Sequence, residues 1–195
     1  SYVKETGHPA YRADDALWLF PTVYKYIAET GHLEFMDEVI PYANRGEATV
    51  YEHLKRAIDF SMNHLGKHGM QAGLYADWND CLRLGKEGES TFVAMQLYYA
   101  MNILRKFAEY KQDKETAAYL DEKQEELGKL LQELCWNEDR FIRGFTEAGE
   151  VIGKRTDPEA NVWLNPQSWA VISGLAKADQ ADMALERVYE KLNTP

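Results

Sequence analysis

Apolar positions recur with a helical period along most of this chain. The run Ala16-Leu17-Trp18-Leu19-Phe20-Pro21-Thr22-Val23-Tyr24-Lys25-Tyr26-Ile27-Ala28 predicts a first helix, with Asp14-Asp15 as an acidic cap and Gly31 as its stop. Pro21 fits such a helix only near its start or at a kink. From Thr49 to His64 the apolar residues Val50, Leu54, Ile58 and Met62 are spaced by four, the stripe of a second, amphipathic helix. Ser90 caps a third helix, Thr91 to about Lys111. Apolar residues such as Phe92, Val93, Met95, Leu97, Ile103 and Phe107 cover almost its whole circumference, which predicts packing on most sides. A fourth, Lys114 to Trp136, is heavily charged and turns Tyr119, Leu120, Leu127, Leu130, Leu131 and Leu134 inward. Between Asn137 and Trp163 the period changes. Arg140 to Phe145 and Glu150 to Gly153 flank Glu147-Ala148-Gly149, the pattern of a small hairpin. Two further helices, Pro166 to about Ala176 and Asp179 to Asn193, close the pattern, Pro166 suiting a first turn.

Long helices joined by long glycine-bearing loops predict an all-α chain of stacked αα-hairpins with one small β-hairpin. In such a stack the functional loops gather at one end. No low-complexity tract or Ser/Gly linker interrupts the 195 residues, so one domain, 1–195, is the economical count. A chain of this length buries around 70% of its unfolded surface. The aromatics Trp18, Tyr24, Tyr26, Tyr98 and Tyr99 lie in helical runs and are expected in the core.

Charge and cysteine content narrow the function classes. A formal net charge of −10 disfavours nucleic acid and anionic membranes as partners, and any phosphate has to be held by a local basic cluster. No apolar run approaches the roughly 20 residues needed to cross a bilayer. The opening segment Ser1 to Pro9 has no apolar leader region, and Cys81 and Cys135 are isolated thiols outside any metal-type spacing. Together these point to a cytoplasmic protein.

The densest candidate chemistry is Asp77-Trp78-Asn79-Asp80, two carboxylates flanking an indole and an amide in a glycine-bounded loop. An indole packs on the apolar face of a pyranose, and a carboxyl group protonates a leaving oxygen. The same four residues also suit a plain turn in which Asp77 caps the backbone and Trp78 plugs the core. Other constellations are weaker. His64 and His68 have a metal-like spacing but straddle a helix end, with no third ligand in view, so no metal is expected. Gly85 to Ser90 is a glycine-rich turn into a helix, yet two glutamates in it repel an anion and a plain N-terminal cap is the simpler reading.

Several segments, in order, resemble the cellobiose and chitobiose phosphorylase family, the inverting disaccharide phosphorylases of glycoside hydrolase family 94. They are Asp14-Asp15-Ala16-Leu17-Trp18-Leu19, Tyr26 to Gly31, Asp37-Glu38, Ile40-Pro41-Tyr42, Glu52-His53-Leu54, His68-Gly69, Ala76 to Leu82, Gly88-Glu89-Ser90 and Asn165 to Val171. The resemblance covers nearly the whole chain. It implies part of an (α/α)₆ barrel and reversible phosphorolysis of a β-linked, cellobiose-like disaccharide to an α-sugar 1-phosphate and a free sugar. Asp80 would be the general acid, Trp78 would line the sugar site and Asp77 would support that site, staying ionised or fixing the loop. Inorganic phosphate would be the co-substrate and nucleophile, with no other cofactor. Asp80 would then need burial beside Trp78 and Asp77 to hold its proton. Family members are several times longer, with sugar-binding residues upstream and phosphate-binding residues downstream of this stretch. The chain therefore reads as about half a barrel, inactive or weakly active alone and prone to self-association through exposed apolar faces. Two alternatives remain. An inverting hydrolase would need a second carboxylate, such as Glu89 or Asp157, about 6.5–9.5 Å from Asp80. A non-catalytic helical carbohydrate-binding module would need none.

Overall fold

Local capping chemistry sets most element boundaries in the computed structural model, which describes residues 12–193. Ser1 to Pro9, read above as lacking a leader, lies outside the described residues. A 3₁₀ turn at Asp15–Trp18 leads into α1 (Leu19–Thr30), so Pro21 falls in the first α-helical turn, where its missing N–H leaves no hydrogen bond unmade. Gly31, at φ 70°, ends α1 by donating to the Ile27 carbonyl at 2.8 Å. Asp14 precedes the 3₁₀ turn but its side chain caps nothing. Instead its carboxylate accepts the Trp18 indole N–H at 2.8 Å, which corrects the expected acidic cap.

A second 3₁₀ turn, Leu33–Asp37, precedes an antiparallel hairpin of β1 (Val39–Pro41) and β2 (Glu47–Thr49). The apolar pattern does not predict this hairpin, because all of β1 is exposed and carries no burial signal. Thr49 ends β2 and caps α2 (Val50–Met62), its hydroxyl accepting the Glu52 N–H at 3.2 Å. After a long irregular stretch, β3 (Glu89–Ser90) runs into α3 (Thr91–Tyr110), and the Ser90 hydroxyl accepts the Val93 N–H at 3.3 Å. As its pattern predicts, α3 is the centre of the molecule. Phe92, Val93, Ala94, Met95, Leu97 and Ala100 are all buried, and the helix packs chiefly on α4 (Lys114–Cys135), and also on α1 and α2. Gly128 of α4 lets the helices close up, since a Cβ there would lie 3.1 Å from the Tyr98 ring.

Two short hairpins follow α4. One pairs β4 (Trp136–Asn137) with β5 (Arg140–Phe141). The other pairs β6 (Gly144–Phe145) with β7 (Val151–Ile152) around the expected turn at Glu147 to Gly149. In addition, β3 joins β6 antiparallel, Glu89 opposite Phe145 and Ser90 opposite Gly144, making a three-stranded sheet from distant parts of the chain. Helices α5 (Leu164–Ile172) and α6 (Ala178–Leu192) close the fold, α5 packing on both α3 and α6. Helices dominate and the strands are two or three residues long, so the chain is an all-α fragment of a barrel-like domain.

Three side-chain expectations change. Tyr119 is not turned inward, because Leu120, Leu127 and Leu131 already fill the buried stripe of α4. Trp18 and Tyr26 are exposed rather than core, since α1 buries only the face carrying Phe20, Val23 and Ile27. Tyr24, Tyr98 and Tyr99 are half-buried against the core.

Candidate active site

The acid loop is a turn tied down at one end and open at the other. Asp77 is buried, 3% exposed, and both of its oxygens are taken. Oδ1 accepts the Asn79 backbone N–H at 2.9 Å, an Asx turn. Oδ2 accepts the Ser90 hydroxyl at 2.7 Å and the Arg143 guanidinium at 2.5 Å. Asn79 carries the turn on, its side-chain oxygen accepting from Cys81 N–H at 3.2 Å and its carbonyl from Leu82 N–H at 3.0 Å. Asp77 therefore holds the loop, with both oxygens engaged by the protein. The turn expected of these four residues forms around Asp77.

Asp80 stands at the open end. Its side chain is 66% exposed and contacts the Arg12 guanidinium. Trp78 is 64% exposed rather than plugged into the core. The burial of Asp80 expected from the sequence is absent in the described chain, since neither Trp78 nor Asp77 covers it. Arg12 reaches the loop because residues 12–13 run beside it, Ala13 N–H bonding the Ala76 carbonyl at 2.9 Å. Two guanidinia lie near the Tyr75 ring, Arg12 5.4 Å and Arg83 4.8 Å from its centroid, and Arg83 also donates to its hydroxyl at 3.2 Å. Arg12, Tyr75 and Arg83 escaped the sequence reading. Arg83 lies only three residues past Asp80 and was the one legible signal among them.

Two buried acids lie near this loop. Asp14 has its carboxyl pushed up, chiefly by burial and also by repulsion from Asp15 and Asp77, while the Trp18 indole opposes the shift. Glu89 is 1% exposed. Its Oε1 accepts the backbone N–H groups of His68 (2.8 Å) and Met70 (3.1 Å), and its Oε2 lies 2.5 Å from His68 Nδ1. Phe145 covers the His68 ring at 4.4 Å. Asp157 Oδ2 caps the 153–157 turn, accepting from Gly153 and Lys154 N–H at 3.0 and 2.9 Å. Both carboxylates named as candidate bases for a hydrolase thus accept from backbone N–H groups through one oxygen, and Glu89 meets His68 through the other. His64 Nδ1 lies 2.7 Å from the Phe60 carbonyl, away from the His68–Glu89 contact, and no group of three metal-type side chains forms among the described residues. Cys81 and Cys135 are free thiols. Burial pushes the Cys135 thiol up to about 12, so it serves as a core residue and not as a nucleophile.

Comparison with known proteins identifies the family. The chain is 40% identical over 189 residues to the N,N'-diacetylchitobiose phosphorylase of Vibrio furnissii, covering 94% of this chain and 23% of that protein. To the solabiose phosphorylase of Paenibacillus borealis it is 35% identical over 191 residues, covering 96% and 25% respectively. The chain therefore spans about a quarter of the length of the curated relatives it matches. Among solved structures, the GH78 family rhamnosidase of Bacillus sp. GL1 shares the fold with a TM-score of 0.71 at 16% identity, over 96% of this chain and 18% of that one. The family model described as the glycosyl hydrolase 94 superfamily, catalytic domain, matches residues 1–195, and the chain belongs to that family.

Proposed function

We propose that this chain is the acid-bearing part of an inverting glycoside phosphorylase, acting in a longer protein on a β-linked disaccharide and inorganic phosphate. The observation that carries the reading is the division of labour in the loop. One carboxylate, Asp77, is buried and spent on geometry, while the other, Asp80, is presented to solvent three residues later beside the exposed Trp78. In the reaction a phosphate oxygen attacks the anomeric carbon from the face opposite the acid. The glycosidic C–O bond breaks, and the leaving oxygen takes the Asp80 proton, giving an α-sugar 1-phosphate and a free sugar. Only one protein carboxyl is needed, which fits a site whose other nearby acids are engaged. Arg12 meets Asp80 through Oδ1 and lies against the Tyr75 ring, while the Asp80 side chain stays exposed to an incoming leaving oxygen. The remaining sugar- and phosphate-binding groups, and the wall that would enclose Trp78, would come from other parts of the longer protein. The free thiols and the absence of a membrane-crossing helix among the described residues accord with a cytoplasmic location.

The test uses the longer enzyme that carries this chain. Disaccharide cleavage should require inorganic phosphate, and Asp80→Asn should lower the rate by about 10²-fold or more. Cleavage in phosphate-free buffer would instead indicate a hydrolase. A near-normal Asp80→Asn rate, or sugar binding by the isolated chain that this substitution leaves unchanged, would favour a non-catalytic module.

A further inference from the structure

Arg143 is among the largest fully buried side chains of the molecule, and it lies 66 residues from the carboxylate it holds. It is fixed along its whole length. Its backbone N–H donates to the Ile152 carbonyl at 2.7 Å, and its carbonyl accepts from Thr91 N–H at 3.3 Å. Its guanidinium lies 5.7 Å from the Trp163 ring centroid. At its tip, Nη1 donates to the Ser90 hydroxyl at 3.0 Å and Nη2 to Asp77 Oδ2 at 2.5 Å. Gly153 is shaped around it, since a Cβ there would come within 2.9 Å of both the Arg143 nitrogen and the Trp163 ring. Asp77 passes the constraint on through its other oxygen to the Asn79 N–H, the residue before Asp80.

A buried ion pair contributes little net stability compared with well-packed apolar residues of the same volume. What a planar guanidinium on a buried carboxylate does supply is direction. We propose that Arg143 is a positioning residue for Asp80. Acting through Asp77 and Ser90, it locks the acid loop to the β3-β6-β7 sheet and so sets where the Asp80 carboxyl meets the leaving oxygen. The inference rests on Asp80 being the acid, and its test separates the two claims.

The experiment compares two substrates in the longer enzyme with phosphate present: the disaccharide, and the β-fluorides of glucose and N-acetylglucosamine. With a fluoride, the phosphate oxygen forms the new bond to the anomeric carbon and fluoride departs with the C–F electron pair, so no proton is donated. Asp80→Asn losing the disaccharide reaction but not the fluoride reaction establishes the acid. Near-normal disaccharide turnover in that variant removes the acid, and the positioning claim with it. Arg143→Lys keeps the charge but loses the fork, and should lower kcat on the disaccharide by about 10–100-fold with KM little changed, because displacement of a reacting group by about 1 Å costs that much. Fluoride turnover should stay within about threefold, since it does not call on the acid. Equal losses on both substrates would make Arg143 a purely structural residue and overturn the proposal, as would no loss on either. Should Arg143→Lys fail to fold, the isosteric Asp77→Asn carries the same test, with the same pattern expected and the same results overturning it.

Discussion

At Gly144 the two strands that support the acid loop pass so close that no side chain fits. A Cβ there would lie 2.2 Å from the Glu89 carbonyl oxygen, which is backbone and cannot step aside, and the φ of 154° is one that L residues rarely adopt. Gly144→Ala should therefore cost about 2 kcal/mol or more, read as a lower urea midpoint in the isolated chain. Because β6 carries on from Arg143, the same change should also loosen the Asp77 contacts. Gly31 makes the contrast. It too has positive φ, but a Cβ would meet nothing within 4 Å, so its requirement is conformational alone. Gly31 is readable as a helix stop from its place after an apolar run. Gly144 is not, since the clash that demands it comes from a residue 55 positions earlier in the sequence. The same holds for Asp77, whose partners Ser90 and Arg143 follow no period.

Among the helices, α4 shows most clearly how a terminus couples to its neighbour. Asp113 caps it, accepting from Thr116 N–H at 3.0 Å and the Thr116 hydroxyl at 2.7 Å, and it also takes the Tyr51 hydroxyl of α2 at 3.0 Å. These bonds, the Thr116 pair foremost, lower the Asp113 carboxyl to about 2. A folded-state value below the unfolded one means that the stabilisation is present above about pH 4 and is lost as pH falls towards 2. Asp113→Ala should cost about 1 kcal/mol at neutral pH. The gap between variant and parent should close on acidification through that window, as measured by urea unfolding at a series of pH values. A gap of constant size down to pH 2 would contradict this. Elements such as α2, α3 and α4 are legible in sequence because a cap and a stripe lie within one segment: Thr49, Ser90 and Asp113 each precede their apolar run. The two-residue strands have no such run, and they form because α3 and the chain after α4 bring them together.

As a whole, the molecule leaves apolar surface uncovered. A groove of about 390 Å³ runs between α1, α2 and the β1–β2 hairpin, lined by residues that include Leu19, Val23, Tyr26, Phe35, Ile40 and Leu54. On α6, Leu185, Tyr189 and Leu192 are also exposed. Surfaces of this kind associate in water, so the isolated chain should elute above monomer mass in size-exclusion chromatography with light scattering at micromolar concentration. A clean monomer would count against the expectation. By itself the sequence determined the helices, the Ser90 cap, the family and the loop that holds Asp80, since periodicity and motif order are properties of contiguous residues. Only the tertiary structure decided that Asp77 is buried with both oxygens engaged while Asp80 and Trp78 stand exposed. Burial and partners are set by residues far away in the chain: Ser90 and Arg143 close over Asp77, and Arg12 meets the exposed Asp80.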